Sequence, residues 1–198
     1  MIEHSFKNWT LSDHLVVHQI PLKEFRPWFA KNRPRLFPDT LDFNSQEILS
    51  ELDKEKQKQL SERLSNVFTA ALVLYHQNEI IGWSFGRQES FEKFYQVNSA
   101  ILPEYRNRGL YKKLLKIMIE VVKSEGFQII YSRHAATNSS VIVPKLKSGF
   151  VISALELSDT FGTLVHLTYF TDPTRKKVME FRCGDLRPDE QLKSLLKL

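Results

Sequence analysis

One turn constrains this chain more than any other stretch. From Ser99 to Tyr111 the sequence Ser-Ala-Ile-Leu-Pro-Glu-Tyr-Arg-Asn-Arg-Gly-Leu-Tyr carries an apolar strand end through a basic, glycine-bearing turn into a long amphipathic helix. The first amides of a helix lack intrahelical acceptors and lie at the positive end of its dipole, so such a turn is suited to hold an anion. Gly109 leaves the backbone bare where a pyrophosphate would approach. The helix is well specified. Leu110, Leu114, Leu115, Met118, Val121 and Val122 recur at helical spacing, Lys112, Lys113 and Lys116 fall on the wet face, and Gly126 supplies a stop. Alone, the turn is a weak signal, because a strand-to-helix turn with solvated arginines reads the same way.

The flanking segments add context. Ala71–Tyr75 and Ile80–Phe85 read as a hairpin around Gln77-Asn78-Glu79. Downstream, Phe127 to His134 reads as a strand and Asn138 as a helix cap, and Leu146-Lys147-Ser148-Gly149-Phe150 closes a helix into another strand. With Gly82 in the third strand, Arg106-Asn107-Arg108-Gly109 in the turn, Asn138 and Gly149-Phe150, residues 67–170 resemble the GNAT superfamily of acyl-CoA-dependent N-acyltransferases. From residue chemistry alone the segment is an anion-binding strand-turn-helix; acyl-CoA is what the resemblance implies.

The resemblance implies an α/β fold with a mixed, mostly antiparallel twisted sheet, splayed between central strands and flanked by helices. It implies transfer of an acetyl group from acetyl-CoA to a primary amine of a small molecule or peptide. Backbone amides at Ser99, Ala100 and Ile101 would meet the pantetheine and thioester. Those from Arg106, Asn107, Arg108, Gly109 and Leu110 to Tyr111 would hold the pyrophosphate, with Asn138 opening the next helix of the cofactor site. Two rival classes stay open: a CoA-binding regulatory module without turnover, and a basic domain whose turn binds unrelated phosphates.

This chain departs from the family pattern in three ways. Tyr111 stands where the phosphate motif usually ends in a small residue. The family's frequent general-acid tyrosine, seven residues after the capping Asn, falls on Lys145, and Pro144 beside it predicts that the short helix kinks or ends there. The strand Tyr95 to Leu102 carries no acidic residue. Lys145 is therefore the candidate acid, the alternative being a surface lysine. Glu92 and His134, working through water, are the candidate bases, the alternatives being a solvated carboxylate and a structural histidine.

Composition bounds the rest. At 198 residues and 23.2 kDa the chain suits one domain: residues 1–66 on the acceptor side, 67–170 binding CoA and 171–198 an extension. Residues 1–100 hold 12 lysines and arginines against 13 acidic residues, whereas 101–198 hold 16 against 10, so the positive field lies with the turn. Nucleic acid is disfavoured, since no recognition-helix or RNA-binding pattern occurs; no zinc-ligand spacing is present and no metal is expected. No apolar run approaches the roughly 20 residues a membrane helix needs, and the single cysteine, Cys183, suits a reducing cytoplasm.

In the first seventy residues, Leu15 to Ile20 reads as a strand and Pro21 to Lys31 as a helix. Asn32 to Asp39 reads as a stiff loop whose Arg33 and Arg35 can hold a substrate carboxylate or phosphate or stay solvated. Asn44 and Glu47 read as a cap before a second helix bearing Ile48, Leu49, Leu52, Leu60 and Leu64. At the other end, Pro188-Asp189-Glu190 starts a short helix with Leu192, Leu195, Leu196 and Leu198. It docks on its own chain or pairs two chains, so monomer and homodimer both stay open.

Overall fold

Strand alternation and turn chemistry set the frame of the molecule, and the helices pack onto it. The computed structural model describes residues 6–37, 45–64 and 66–198. Its elements run β1 (Asn8–Ser12), β2 (Leu15–Ile20), α1 (Leu22–Leu36), α2 (Glu51–Arg63), β3 (Thr69–His76), β4 (Glu79–Gln88), β5 (Lys93–Ile101), α3 (Leu110–Ser124), β6 (Ile129–Ala135), α4 (Ser139–Lys147), β7 (Val151–Ser158), β8 (Gly162–Phe170), α5 (Pro173–Arg182) and α6 (Glu190–Leu196). The strands form one sheet in the order β1-β2-β3-β4-β5-β6-β8-β7, antiparallel except for the pair β5 and β6.

The expected hairpin forms between β3 and β4. Gln77 and Asn78 both take positive φ (48° and 71°), the backbone a two-residue hairpin turn requires. β3 is buried on both faces. Leu72 and Leu74 meet α3 residues Leu114, Leu115, Met118 and Val122, while Ala71 and Val73 join Leu22 and Phe25 around Trp83 under α1. At about 1.5–3 kcal/mol per fully buried large apolar side chain, these two cores dominate the stability of the sheet.

Several elements differ from the expectation. β1 is an additional strand, whose short, half-exposed pattern carries little sequence signal. α1 continues through Asn32, Arg33, Pro34 and Arg35 rather than ending in a stiff loop. Trp28, Phe29 and Leu36 pack along one side of it against the Trp83 cluster, which offsets the amide lost at Pro34. Asn44 lies outside the described residues. Ser50 caps α2, its hydroxyl accepting from the Asp53 amide at 3.2 Å. α5 occupies part of the extension for which the sequence predicts no element, and α6, the short helix expected there, docks through fully buried Leu192, capped by Asp189. α4 does not end at Pro144 but continues to Lys147: only one amide is lost, and the helix end is held by Phe150 N–H to Lys145 O (3.1 Å) across Gly149, whose φ of +95° suits glycine.

One irregularity opens the sheet. β5 pairs with β6 only at Lys93, Tyr95 and the residue between them. Just beyond, Gly86 pairs with Gln96 but Phe85 pairs with Asn98, so Val97 is an extra residue. A bulge bends its strand and interrupts pairing. Past it, β5 stays with β4 and leaves β6.

Candidate active site

Alternation decides which backbone groups face the gap. Leu102 N–H bonds Ile81 O at 2.8 Å, so along this antiparallel pair Ala100 and Asn98 also turn toward β4, while Ser99 and Ile101 turn their N–H and C=O toward the side β6 has vacated. Of the three strand residues expected at a thioester, Ser99 and Ile101 present their backbone to the gap. Ala100 pairs with Trp83 instead. Gly82 lies opposite Ile101, where a Cβ would come within 2.5 Å of the Ile101 side chain.

The basic turn lies at the mouth of the gap. Gly109 takes φ +72° with nothing within 4 Å of where a Cβ would stand, so its role is both conformational and one of leaving space. The first helical bond of α3 is Lys113 N–H to Gly109 O, leaving the amides of Leu110, Tyr111 and Lys112 ahead of it. The arginine side chains fold back: Arg106 Nε donates to Ile101 O (3.0 Å) and Arg108 Nη2 to Glu104 O (3.0 Å). Arg106 N–H is taken by Pro103 O. Tyr111 packs sideways onto the α3 core. Its hydroxyl is the one buried side-chain oxygen among the described residues without a hydrogen-bond partner, and burial raises its pKa. Helix amides ahead of the first helical bond, bare space over Gly109 and the Ser99 and Ile101 N–H groups on the side β6 has vacated together fit a phosphate-bearing thioester. Asn138 takes the cap position of α4, but its side-chain oxygen accepts from Ser140 Oγ (2.8 Å) rather than from a helix amide.

Lys145 is not a surface lysine. It is 1% exposed, and its Nζ bridges the separated strands, donating to Gln96 Oε1 on β5 (2.6 Å) and Ser132 Oγ on β6 (2.5 Å), 4.6 Å from the centre of the Phe150 ring. Gln96 Nε2 donates in turn to Ser84 Oγ and Ser99 Oγ, each at 2.8 Å. His134 Nε2 lies 2.9 Å from Ser132 Oγ. With neutral partners and no counter-ion among these contacts, burial lowers the Lys145 pKa to about 7. Burial first, and Lys145 second, push His134 down to about 3. The lysine is therefore the group brought near neutrality, and the lowered pKa makes His134, one of the candidate bases, a weak one.

Glu92 is elsewhere. It precedes β5 at the closed end of the parallel pair, roughly 13 Å along the strand from Gln96, and pairs with Arg175 of α5 (2.8 Å). That partner lies 83 residues away in sequence, which explains why it could not be foreseen. Gln96, Ser132 and Ser84 join the site without a motif to mark them. Their one sequence signal is a polar residue at an inward-facing strand position.

On the α1 face, a cavity of about 270 Å³ lies between α1 and the turn, walled by Trp28, Phe37 and Trp83 with Arg35 and Arg106 at its rim. Arg35, not Arg33, reaches it. Further along the same face, Tyr131 donates to Glu89, and Arg133 and His166 both contact Glu156 (2.9 and 2.5 Å). Among the described residues no cluster could hold a metal, and no helix is long and apolar enough to cross a membrane.

The acetyltransferase (GNAT) family matches residues 18–142. Among solved structures, the ribosomal-protein-S5-alanine acetyltransferase of Vibrio fischeri superposes with a TM-score of 0.61 at 17% identity, over 84% of this chain and 97% of its own. A GNAT family acetyltransferase of Elizabethkingia anophelis, solved with acetyl-CoA bound, gives 0.53 at 16% identity over 80% and 99%. The ribosomal-protein-S18-alanine N-acetyltransferase of Escherichia coli gives 0.55 at 13% over 80% and 94%. No curated protein matches by sequence.

Proposed function

Because this chain belongs to the acetyltransferase (GNAT) family, we propose that it moves an acetyl group from acetyl-CoA to a primary amine by direct attack, with Lys145 protonating the departing thiolate. The observation that carries this reading is the position of Lys145, which spans the two strands where they separate. In the reaction the amine nitrogen bonds the acetyl carbon, the carbon–sulfur bond breaks, the nitrogen loses a proton and the sulfur gains one. The unpaired amides of Ser99 and Ile101 are placed to orient the thioester and to meet the oxyanion. The amides from Leu110 to Lys112, at the helix N-terminus beyond Gly109, receive the pyrophosphate.

The acceptor is an amine of a small molecule or peptide. It enters from the α1 face, where the cavity beside Trp28, Trp83 and Arg35 leads to the C-terminal end of β5.

Thermal shift with acetyl-CoA and with ATP tests the binding half of the reading. At a hundred times its Kd, acetyl-CoA is expected to add about 2.7 kcal/mol of stability, with ATP adding little. Equal shifts would make the turn a general phosphate site. Mass-spectrometric screening of amines and peptides then tests turnover; binding without any acetylated product would leave a CoA-binding module.

A further inference from the structure

We propose that Gln96 is a positioning residue: clamped by Ser84 and Ser99, it presents only its carbonyl oxygen to Lys145 and holds the lysine amine in the gap between β5 and β6, ready to deliver its proton. The inference rests on the reading of Lys145 as proton donor, and it assigns the group that makes a flexible side chain usable for that task.

A primary amide has two ends, and here both hydrogens of one are committed. Gln96 Nε2 gives one to Ser84 Oγ and one to Ser99 Oγ, so Oε1 is left to face Nζ at 2.6 Å. Turning the amide over would press its NH2 against the lysine amine. The side chain is 2% exposed, which keeps water from substituting for either contact. Lysine has a long stem and no preferred donor direction, so an acid built from it needs external fixation.

The clamp depends on the bulge. In a regular strand, residues three apart point to opposite faces, so Ser99 would face α1. The extra residue Val97 reverses the alternation and returns Ser99 to the face of Gln96, opposite Ser84 in the β4 register. The irregularity that opens the gap thus also assembles the device beside it. Ser132 makes the second fixed contact, and Phe150 covers the third side. His134 is the titratable neighbour, and the other groups around Nζ, namely Gln96, Ser132 and Phe150, are neutral. An amine so held, with a pKa of about 7, is present in both protonation states at neutral pH.

The test follows Lys145 directly, by NMR titration of the full chain with lysine labelled at Cε, the signal being assigned by its loss in Lys145→Met. Gln96→Glu, which keeps the shape and adds a charge, is expected to raise the Lys145 titration point. Gln96→Leu, which removes an acceptor that favours the ammonium, is expected to lower it. The kcat profile for acetyl transfer is expected to shift in the same directions, with kcat falling by on the order of tenfold or more in Gln96→Leu and acetyl-CoA KM nearly unchanged. Should Gln96→Leu fail to fold, Ser99→Ala loosens the clamp and is expected to act in the same direction, more weakly. A Lys145 titration unmoved by every variant overturns the clamp while leaving the proton-donor reading intact. A titration that moves while the kcat profile stays fixed overturns the donor reading and the delivery role together.

Discussion

A single strand, β6, carries two chemistries on alternate residues. Ser132 and His134 point to the α3 and α4 side, into the buried network around Lys145. Tyr131 and Arg133 point to the other side, where they meet Glu89 and Glu156 in a half-exposed cluster. In that cluster the Arg133 guanidinium pairs with the Glu156 carboxylate, and Glu156 is held below the usual carboxylate range, chiefly by its hydrogen bond from His166. In the buried network the lysine has oxygen acceptors but no carboxylate, so desolvation wins and the amine becomes a weak base. Pairing preserves a charge, whereas burial without pairing makes it labile. The labile arrangement is the one suited to moving a proton.

The largest expected effect comes from removing that amine. Lys145→Met is expected to lower kcat by roughly 10²–10⁴-fold with little change in acetyl-CoA affinity, since protonation of the thiolate matters only in the transition state. Steady-state kinetics paired with calorimetric binding check it. An unchanged kcat in an assay limited by chemistry would level the two faces of β6.

The same variant sharpens the comparison through stability. Lysine titrates near 10.5 in the unfolded chain and near 7 in the folded one. Between these values the unfolded chain binds the extra proton, so wild-type stability rises with pH across that window, by at most about 1.4 kcal/mol per pH unit. Lys145→Met is expected to lose this rise and to be the more stable protein at pH 7. Denaturant melts at pH 7 and 9 decide it; a rise that survives in the variant would place the titration elsewhere.

His134 should matter in a different range. Its folded pKa near 3 lies below the ordinary 6.5, so the unfolded chain again binds more protons between the two, and stability falls as pH drops through that interval. His134→Gln is expected to soften this acid sensitivity while the limb of kcat/KM near pH 7 persists. Disappearance of that limb would return the proton to the imidazole.

The smallest effects belong to the paired carboxylates. Glu92→Gln breaks a partly exposed ion pair with Arg175, and a loss of at most about 1 kcal/mol is expected with kcat unchanged. Glu156→Gln is likewise expected to leave the kcat profile in place. A large kcat loss in either would mean that proton traffic crosses the sheet.

The sequence by itself determined the hairpin at Gln77-Asn78, the strand-turn-helix from Ser99 into α3 and the Asn138-to-Phe150 segment, because each is written in short-range terms: alternation, helical spacing, and glycine or asparagine where φ turns positive. The family resemblance, through the spacing from Asn138, singled out Lys145 as a position of interest, though not as a buried one. Burial depends on which strands converge over a short helix, and β5 and β6 are brought together by pairings far along the chain. Val97 is an ordinary strand residue in sequence, and only its register against β4 makes it a bulge. Glu92 reads as a free carboxylate until α5 folds back and supplies Arg175. Pro34 and Pro144 read as breaks, yet packing along α1 and the capped end of α4 override them. What only the tertiary structure decided is therefore which polar groups are dry, and that decides which of them can give up a proton near neutral pH.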